Sequence, residues 1–222
     1  GLSGTRGWPS VAIDQEERIH ALWLDGRNAQ AAVPMAAGAH EHNASGAMAE
    51  HRMSPRQDVY RAVIDRDGHI TEAQVAASVC FCCKTAVAMR HDGTGLAAWR
   101  HVFPGGVRDI AVGAFDRPTG ETPSFTRVSD DGWKIDGCPE DGPAVAVAGN
   151  DATHIAWPTL VPGQTPVKGV FYAVADRGGA FTPRARLDDG AGETAAHPQI
   201  AVAPEGDVAV VWESSAVGAR RI

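Results

Sequence analysis

Pro143-Ala-Val-Ala-Val-Ala148, followed by Trp157, is one of four copies of a single phrase. Pro9-Ser-Val-Ala-Ile-Asp14 leads to Trp23, Thr85-Ala-Val-Ala-Met89 to Trp99, and Pro198-Gln-Ile-Ala-Val-Ala203 to Trp212. In every copy the Trp stands 14 residues after the first residue of the phrase. Self-similarity at a steady period is the mark of a repeat architecture. Short alternating runs separated by Gly- and Asp-rich turns are the mark of strands. Together they predict an all-β chain, a β-propeller of four-stranded antiparallel blades.

Each repeat reads as an inner strand, a tight turn, a second strand ending at the Trp, and two outer strands. In the first, Val11 to Ile13 and Ile19 to Leu24 are the leading pair. In the second, Ala86 to Met89 and Leu96 to Arg100 lead, with Val107 to Phe115 and Phe125 to Val128 outside them. In the third the strands are Ala144 to Val147, Ile155 to Trp157, Val167 to Ala175 and Phe181 to Leu187. The fourth offers Ile200 to Val202 and Val208 to Trp212, where the reading stops. Residues 1–222 are thus expected to form one propeller domain of about three and a half to four blades. A closed propeller generally needs four to eight blades. The expectation is therefore a fragment of a larger ring of about six blades, with the missing blades coming from the rest of the chain or from a second copy. The other arrangement is a compact four-bladed ring closed by residues 1–8.

The Trp-to-Trp spacings are 76, 58 and 55 residues. The first repeat carries an insertion at about 31–56, between its second and third strands. Loops that long without periodicity are commonly functional or disordered.

Composition sets limits on partners. A formal net charge of −7 argues against a nucleic-acid surface, which wants a basic stripe. No run approaches the 18 apolar residues of a membrane-spanning helix. The chain opens at Gly1-Leu2 without a basic and then apolar leader, as a mature form or an excised piece would. The four cysteines are grouped as Cys80, Cys82 and Cys83, then Cys138. Such grouping permits disulfides in an oxidising compartment and equally permits a metal site.

Several stretches carry a resemblance. Ala175-Asp-Arg-Gly-Gly-Ala-Phe181 is similar to a degenerate Asp box, the turn that marks outer hairpins of sialidase-like propellers, and Phe115-Asp-Arg-Pro-Thr-Gly120 leading to Phe125 is a looser copy. Trp23-Leu-Asp-Gly-Arg27, Cys80-Phe-Cys-Cys-Lys-Thr85, Arg108-Asp-Ile110, Asp131-Gly-Trp-Lys-Ile135 and Gly137-Cys-Pro139 add to it. As a set, spread over most of residues 8–215, they resemble an uncharacterised group of bacterial sialidase-like (BNR, Asp-box) propeller proteins. A periplasmic or secreted protein is expected, and the resemblance implies a ring longer at both ends. It implies no activity. The enzymes of the wider superfamily hold a substrate carboxylate with three arginines, and use a Tyr–Glu pair as nucleophile and an Asp as acid/base. Their Phe-Arg-Ile-Pro motif is absent here, and Tyr60 and Tyr172 fall inside third-strand patterns rather than at loop ends.

Propeller geometry places the loop from second to third strand, and the loop into the next blade, on one face. Three groups fall there. Cys80 lies five residues before Thr85 and Cys138 five before Pro143, so these lead-in loops of adjacent blades are expected to converge at the channel mouth. Four thiolates there suit copper or zinc. A disulfide from Cys80 or Cys83 to Cys138, stapling two blades, is the structural alternative. His40, His42 and His51, with Met48 and Met53, offer further imidazole and thioether ligands in the insertion, where solvated histidines are the plainer reading. Asp25, Arg27, Arg100, Arg108 and Asp109, with Trp133 beside Cys138, offer guanidinium forks to an anionic small molecule or glycan, or ion pairs that lock blade to blade. The functional expectation is a binding module for a ligand or metal ion at this face. The alternatives are a glycoside hydrolase of exo-sialidase type working through Arg27, Arg100 and Arg108, and a disulfide-stapled protein-interaction scaffold.

Overall fold

The computed structural model describes residues 5–28, 57–115, 124–135, 139–188, 194–216 and 219–221. The chain is a β-propeller. Its strands are β1 (Arg6–Ile13), β2 (Ile19–Asp25), β3 (Gln57–Ile64) and β4 (Ile70–Val79) in the first blade, and β5 (Ala86–Met89), β6 (Gly95–Arg100), β7 (Ile110–Phe115) and β8 (Phe125–Arg127) in the second. β9 (Ala144–Val147), β10 (Thr153–Val161), β11 (Val167–Ala175) and β12 (Ala185–Arg186) make the third, and β13 (Thr194–Val202), β14 (Val208–Ala216) and β15 (Ala219–Arg221) the fourth. Each blade is an antiparallel meander in chain order. β1 packs on β5, β5 on β9 and β9 on β13, so the inner strands line one another around the centre. No helix among the described residues is long and apolar enough to cross a membrane.

The same turn closes the leading hairpin of every blade. Asp14, Arg90, Ala148 and Ala203 each donate a backbone N–H to the carbonyl four residues on, and each accepts one from the residue three on. That last residue has positive φ in all four: Glu17 at 59°, Gly93 at 85°, Asp151 at 64° and Gly206 at 96°. Glycine adopts this conformation without a Cβ clash, and Asp is tolerated there better than most residues. In the first blade Asp14 supports the turn further, taking the backbone N–H groups of Glu16 and Arg18 on one carboxylate oxygen.

The core lies between blades. On β6, every residue from Gly95 to Arg100 is buried. Ala97 and Trp99 pack toward the first blade with Leu22, Leu24, Val59 and Val75. Leu96 and Ala98 pack toward the third with Ile155, Trp157 and Phe171. Period-2 alternation therefore feeds two cores from one strand. Gly95 is required here, since a Cβ would sit 2.1 Å from the Phe115 ring.

Two strands depart from the sequence expectation. β1 and β13 start well before their alternating phrases, because each carries a bulge. The register shifts between Gly7 and Ser10 and between Ala196 and Gln199, with Trp8 and His197 at φ 55° and 52°. Pro9 and Pro198 follow those residues and have no N–H for the ladder, so a bulge lets the strand continue past them. The fourth blade also continues into a third strand, β15, beyond the point where the sequence reading stops.

Candidate functional site: a thiol cluster under two arginines

The loops on the face of interest are those between β4 and β5, between β6 and β7, and between β8 and β9. Two of them touch. A Cβ on Gly142 would lie 2.1 Å from the Lys84 carbonyl oxygen. These residues immediately precede Pro143 and Thr85, so the lead-in segments of blades 2 and 3 meet at equivalent positions. Only glycine permits that approach of two backbones.

The β4–β5 loop opens at Cys80, whose N–H donates to the Arg100 carbonyl at 3.0 Å. A turn through Phe81 and Cys82 then brings Cys83 back. The Cys80 and Cys83 sulfurs lie 2.7 Å apart. Cys80, Cys82 and Cys83 are all buried, and their three sulfurs fall within 4.8 Å of one another. Among the described residues the free thiols are Cys80 and Cys83. Cys138 lies outside the described residues, as do His40, His42 and His51 in the insertion.

Two guanidinium groups frame the sulfurs. Arg108 Nη1 is 3.9 Å from Cys80 Sγ, and the Arg108 backbone N–H donates to the Trp133 carbonyl at 2.7 Å. Arg100 is only 1% exposed. It donates to the Arg108 carbonyl at 2.9 Å and to the Pro158 carbonyl at 2.7 Å, and its guanidinium sits 4.4 Å over the Trp133 ring. Its Nε has no hydrogen-bond partner among the described residues. A buried cation satisfied by neutral carbonyls favours negative charge nearby. The sulfurs respond to this setting. The hydrogen bond from Cys83 lowers the Cys80 thiol, aided by the charges of Arg100 and Arg108 and opposed by burial. Burial, with Cys80 beside it, raises Cys83.

Asp109 shapes the neighbouring loop. Its fully buried carboxylate accepts the backbone N–H groups of Asp131, Gly132 and Trp133 at 3.0, 3.0 and 3.1 Å, and it pairs with Arg127. Asp109 thus aims Trp133 at Arg100 rather than facing a ligand. Asp25 and Arg27 form a separate group in the first blade. Asp25 has no exposed surface and accepts from Arg6 Nε at 3.0 Å, Trp23 Nε1 at 2.9 Å and the Arg27 N–H at 2.8 Å. Arg27 bridges Asp25 and Glu72 and lies 4.0 Å over Tyr60. Of the expected residues, then, Cys80, Cys82, Cys83, Arg100, Arg108 and Trp133 come together, Asp109 supports them, and Asp25 and Arg27 stand apart. Sequence reasoning missed that Cys80 pairs with Cys83 rather than reaching across to the next blade. The Cys-x-x-Cys spacing was the available signal.

Similar solved structures agree with the propeller fold. A protein of unknown function from Dyadobacter fermentans aligns with all of this chain and 67% of its own, at a TM-score of 0.59 and 12% identity. The alpha-L-arabinanase of Penicillium chrysogenum, solved with arabinobiose, aligns with 94% of this chain at a TM-score of 0.55 and 12% identity. This chain spans 57% of the length of that arabinanase. At such identities the likeness concerns the fold alone. The sequence matches no known protein family and no curated protein.

Proposed function

We propose that the protein is a propeller binding module whose ligand is a soft metal ion, held on this face by Cys80 and Cys83. One observation carries the reading: two buried, free thiol sulfurs in contact, beneath two guanidinium groups. Thiolate ligands select copper(I) and zinc among biological metals. Copper(I) would suit this pair better, because soft thiolates select it and a structural zinc wants four ligands. A copper(I) ion held by two thiolates keeps a net negative charge, which Arg100 and Arg108 offset.

Cys82 is outside the free set, and Cys138 is the remaining cysteine of the four. A disulfide between them, stapling the lead-in loops of blades 2 and 3, belongs to this reading. So does a periplasmic or secreted location, where disulfides persist. A sialidase-type hydrolase has less support. Arg27 and Arg100 are occupied by protein partners, and Asp25, Asp58, Asp109 and Asp141 spend their carboxylates on backbone N–H groups and side chains.

Elemental analysis of the as-isolated protein, normalised to protein concentration, tests the proposal. Near-stoichiometric copper that is lost in Cys80→Ser supports it. A metal-free protein that takes up no copper(I) after reduction overturns it.

A further inference from the structure

Cys80 and Cys83 are the first and last residues of one turn, with Phe81 and Cys82 at its centre. The ends of a β-turn lie within about 7 Å of each other at Cα, and a disulfide spans about 4.4–6.8 Å. The loop therefore already holds the two cysteines at bonding range, and closure needs only side-chain rotation. The sulfurs sit 2.7 Å apart and are free. Both residues are 1% exposed, so burial excludes protein partners by size and limits both the oxidant and the returning dithiol to small molecules. A second, independent feature is Arg100, buried and with an unpartnered Nε. Together with Arg108, it lines the sulfurs with positive charge suited to stabilising an oxygen leaving with negative charge.

From this geometry we infer that Cys80 and Cys83 form a reversible dithiol–disulfide couple, oxidised by a small hydroperoxide and restored by a dithiol. The inference shares its two sulfurs with the metal reading but does not depend on it. The Cys80 sulfur attacks the terminal peroxide oxygen. The S–O bond forms, the O–O bond breaks, and the departing oxygen leaves as the alcohol, or as water from hydrogen peroxide, taking the Cys80 proton. Cys80 is now a sulfenic acid. The Cys83 sulfur attacks it, the S–S bond forms, and the hydroxyl leaves as water with the Cys83 proton. Two thiols and one hydroperoxide thus become one disulfide, one alcohol and one water. A dithiol reverses the bond by two exchanges and is itself left as a disulfide. Arg108 lies against Cys80, so Cys80 is the attacking sulfur and Cys83 the resolving one.

The test treats dithiol-reduced, desalted protein with a slight excess of hydrogen peroxide, followed by intact mass and peptide mapping. The expected result is a loss of two hydrogen atoms per chain and a peptide linking Cys80 to Cys83, both reversed by dithiothreitol. Cys83→Ser should stop at a Cys80 sulfenic acid that dimedone labels. Free, alkylatable Cys80 and Cys83 after peroxide, or a link from either of them to Cys82 or Cys138, would overturn the inference. If the variant does not fold, the wild-type mass and map decide alone. A parallel copper(I) titration of the reduced protein keeps the two readings apart. Closure without copper uptake sinks the metal reading only, and copper uptake without closure sinks this one only.

Discussion

Trp157 donates its indole N–H to a carboxylate oxygen of Asp131 at 2.8 Å, joining β10 of the third blade to the loop that leaves the second. Both residues are buried. Asp131→Ala leaves the indole N–H without an acceptor, which should cost about 1–3 kcal/mol. Asp131→Asn keeps an acceptor and should recover most of that loss. Urea unfolding followed by indole fluorescence distinguishes the two, and equal losses in both variants would show that the hydrogen bond is not the source.

The contact of Gly142 with Lys84 makes a second position decisive. Gly142→Ala drives a methyl group into the Lys84 carbonyl, and backbone cannot step aside as a flexible side chain could. Overpacking of this kind costs about 1–3 kcal/mol. At about 2–4 °C per kcal/mol in a chain of this size, the melting temperature should fall by several degrees. An unchanged melting curve would mean that the two lead-in segments do not meet.

Asp14 gives the protein an acid-sensitive turn in its first hairpin. Burial acts to raise its pKa, but the His20 ring and the Arg18 backbone and side chain stabilise the carboxylate, and the balance lowers it from 3.8 to about 2. The folded value lies below the unfolded one, so the contribution is complete above about pH 4 and fades as pH falls through about 2. Its size is about 2 kcal/mol. Asp14→Asn should therefore be less stable than wild type at pH 6 and should converge with it toward pH 2. Denaturant midpoints measured across that range check the sign, and a constant gap would refute it.

Arg100 is also testable by its shape. Its fork reaches two carbonyls while its plane lies on Trp133. Lysine is a point donor on a flexible stem and cannot do all three. Arg100→Lys should cost about 1–3 kcal/mol and alter Trp133 fluorescence. Retention of both wild-type stability and emission would count against the described packing.

The architecture was legible because Trp99 and Trp157 recur at one phase of one strand, and a strand packed on both faces needs large side chains at fixed intervals. The same phase did not foretell depth. Trp23 is only half-buried and stacks on Tyr60, while Trp99 and Trp157 are sealed between blades. The bulges at Trp8 and His197 were invisible, since alternation begins only after them. At the site, the grouping of the cysteines and the convergence of their loops could be read from equivalent positions. The partner of each sulfur could not, because it depends on a local turn. Nor could the fates of Asp25, Asp109 and Arg100. A charged residue at a strand end reads as a surface group until the structure shows which backbone atoms it satisfies.

β6, buried on both faces, has a kinetic consequence. Its amides can meet solvent only when the cores on its two sides open together, so exchange with deuterium should be slowest there. Repeat proteins open from the ends inward, each blade held by its neighbours. Exposed Val11 and Ile13 on β1 and Val211 on β14 mark the outer blades as the first to fray. The thiol pair follows β4 of the first blade, but the Cys80 N–H ties it to the Arg100 carbonyl at the C-terminal end of β6, and so to the strand that lets go last.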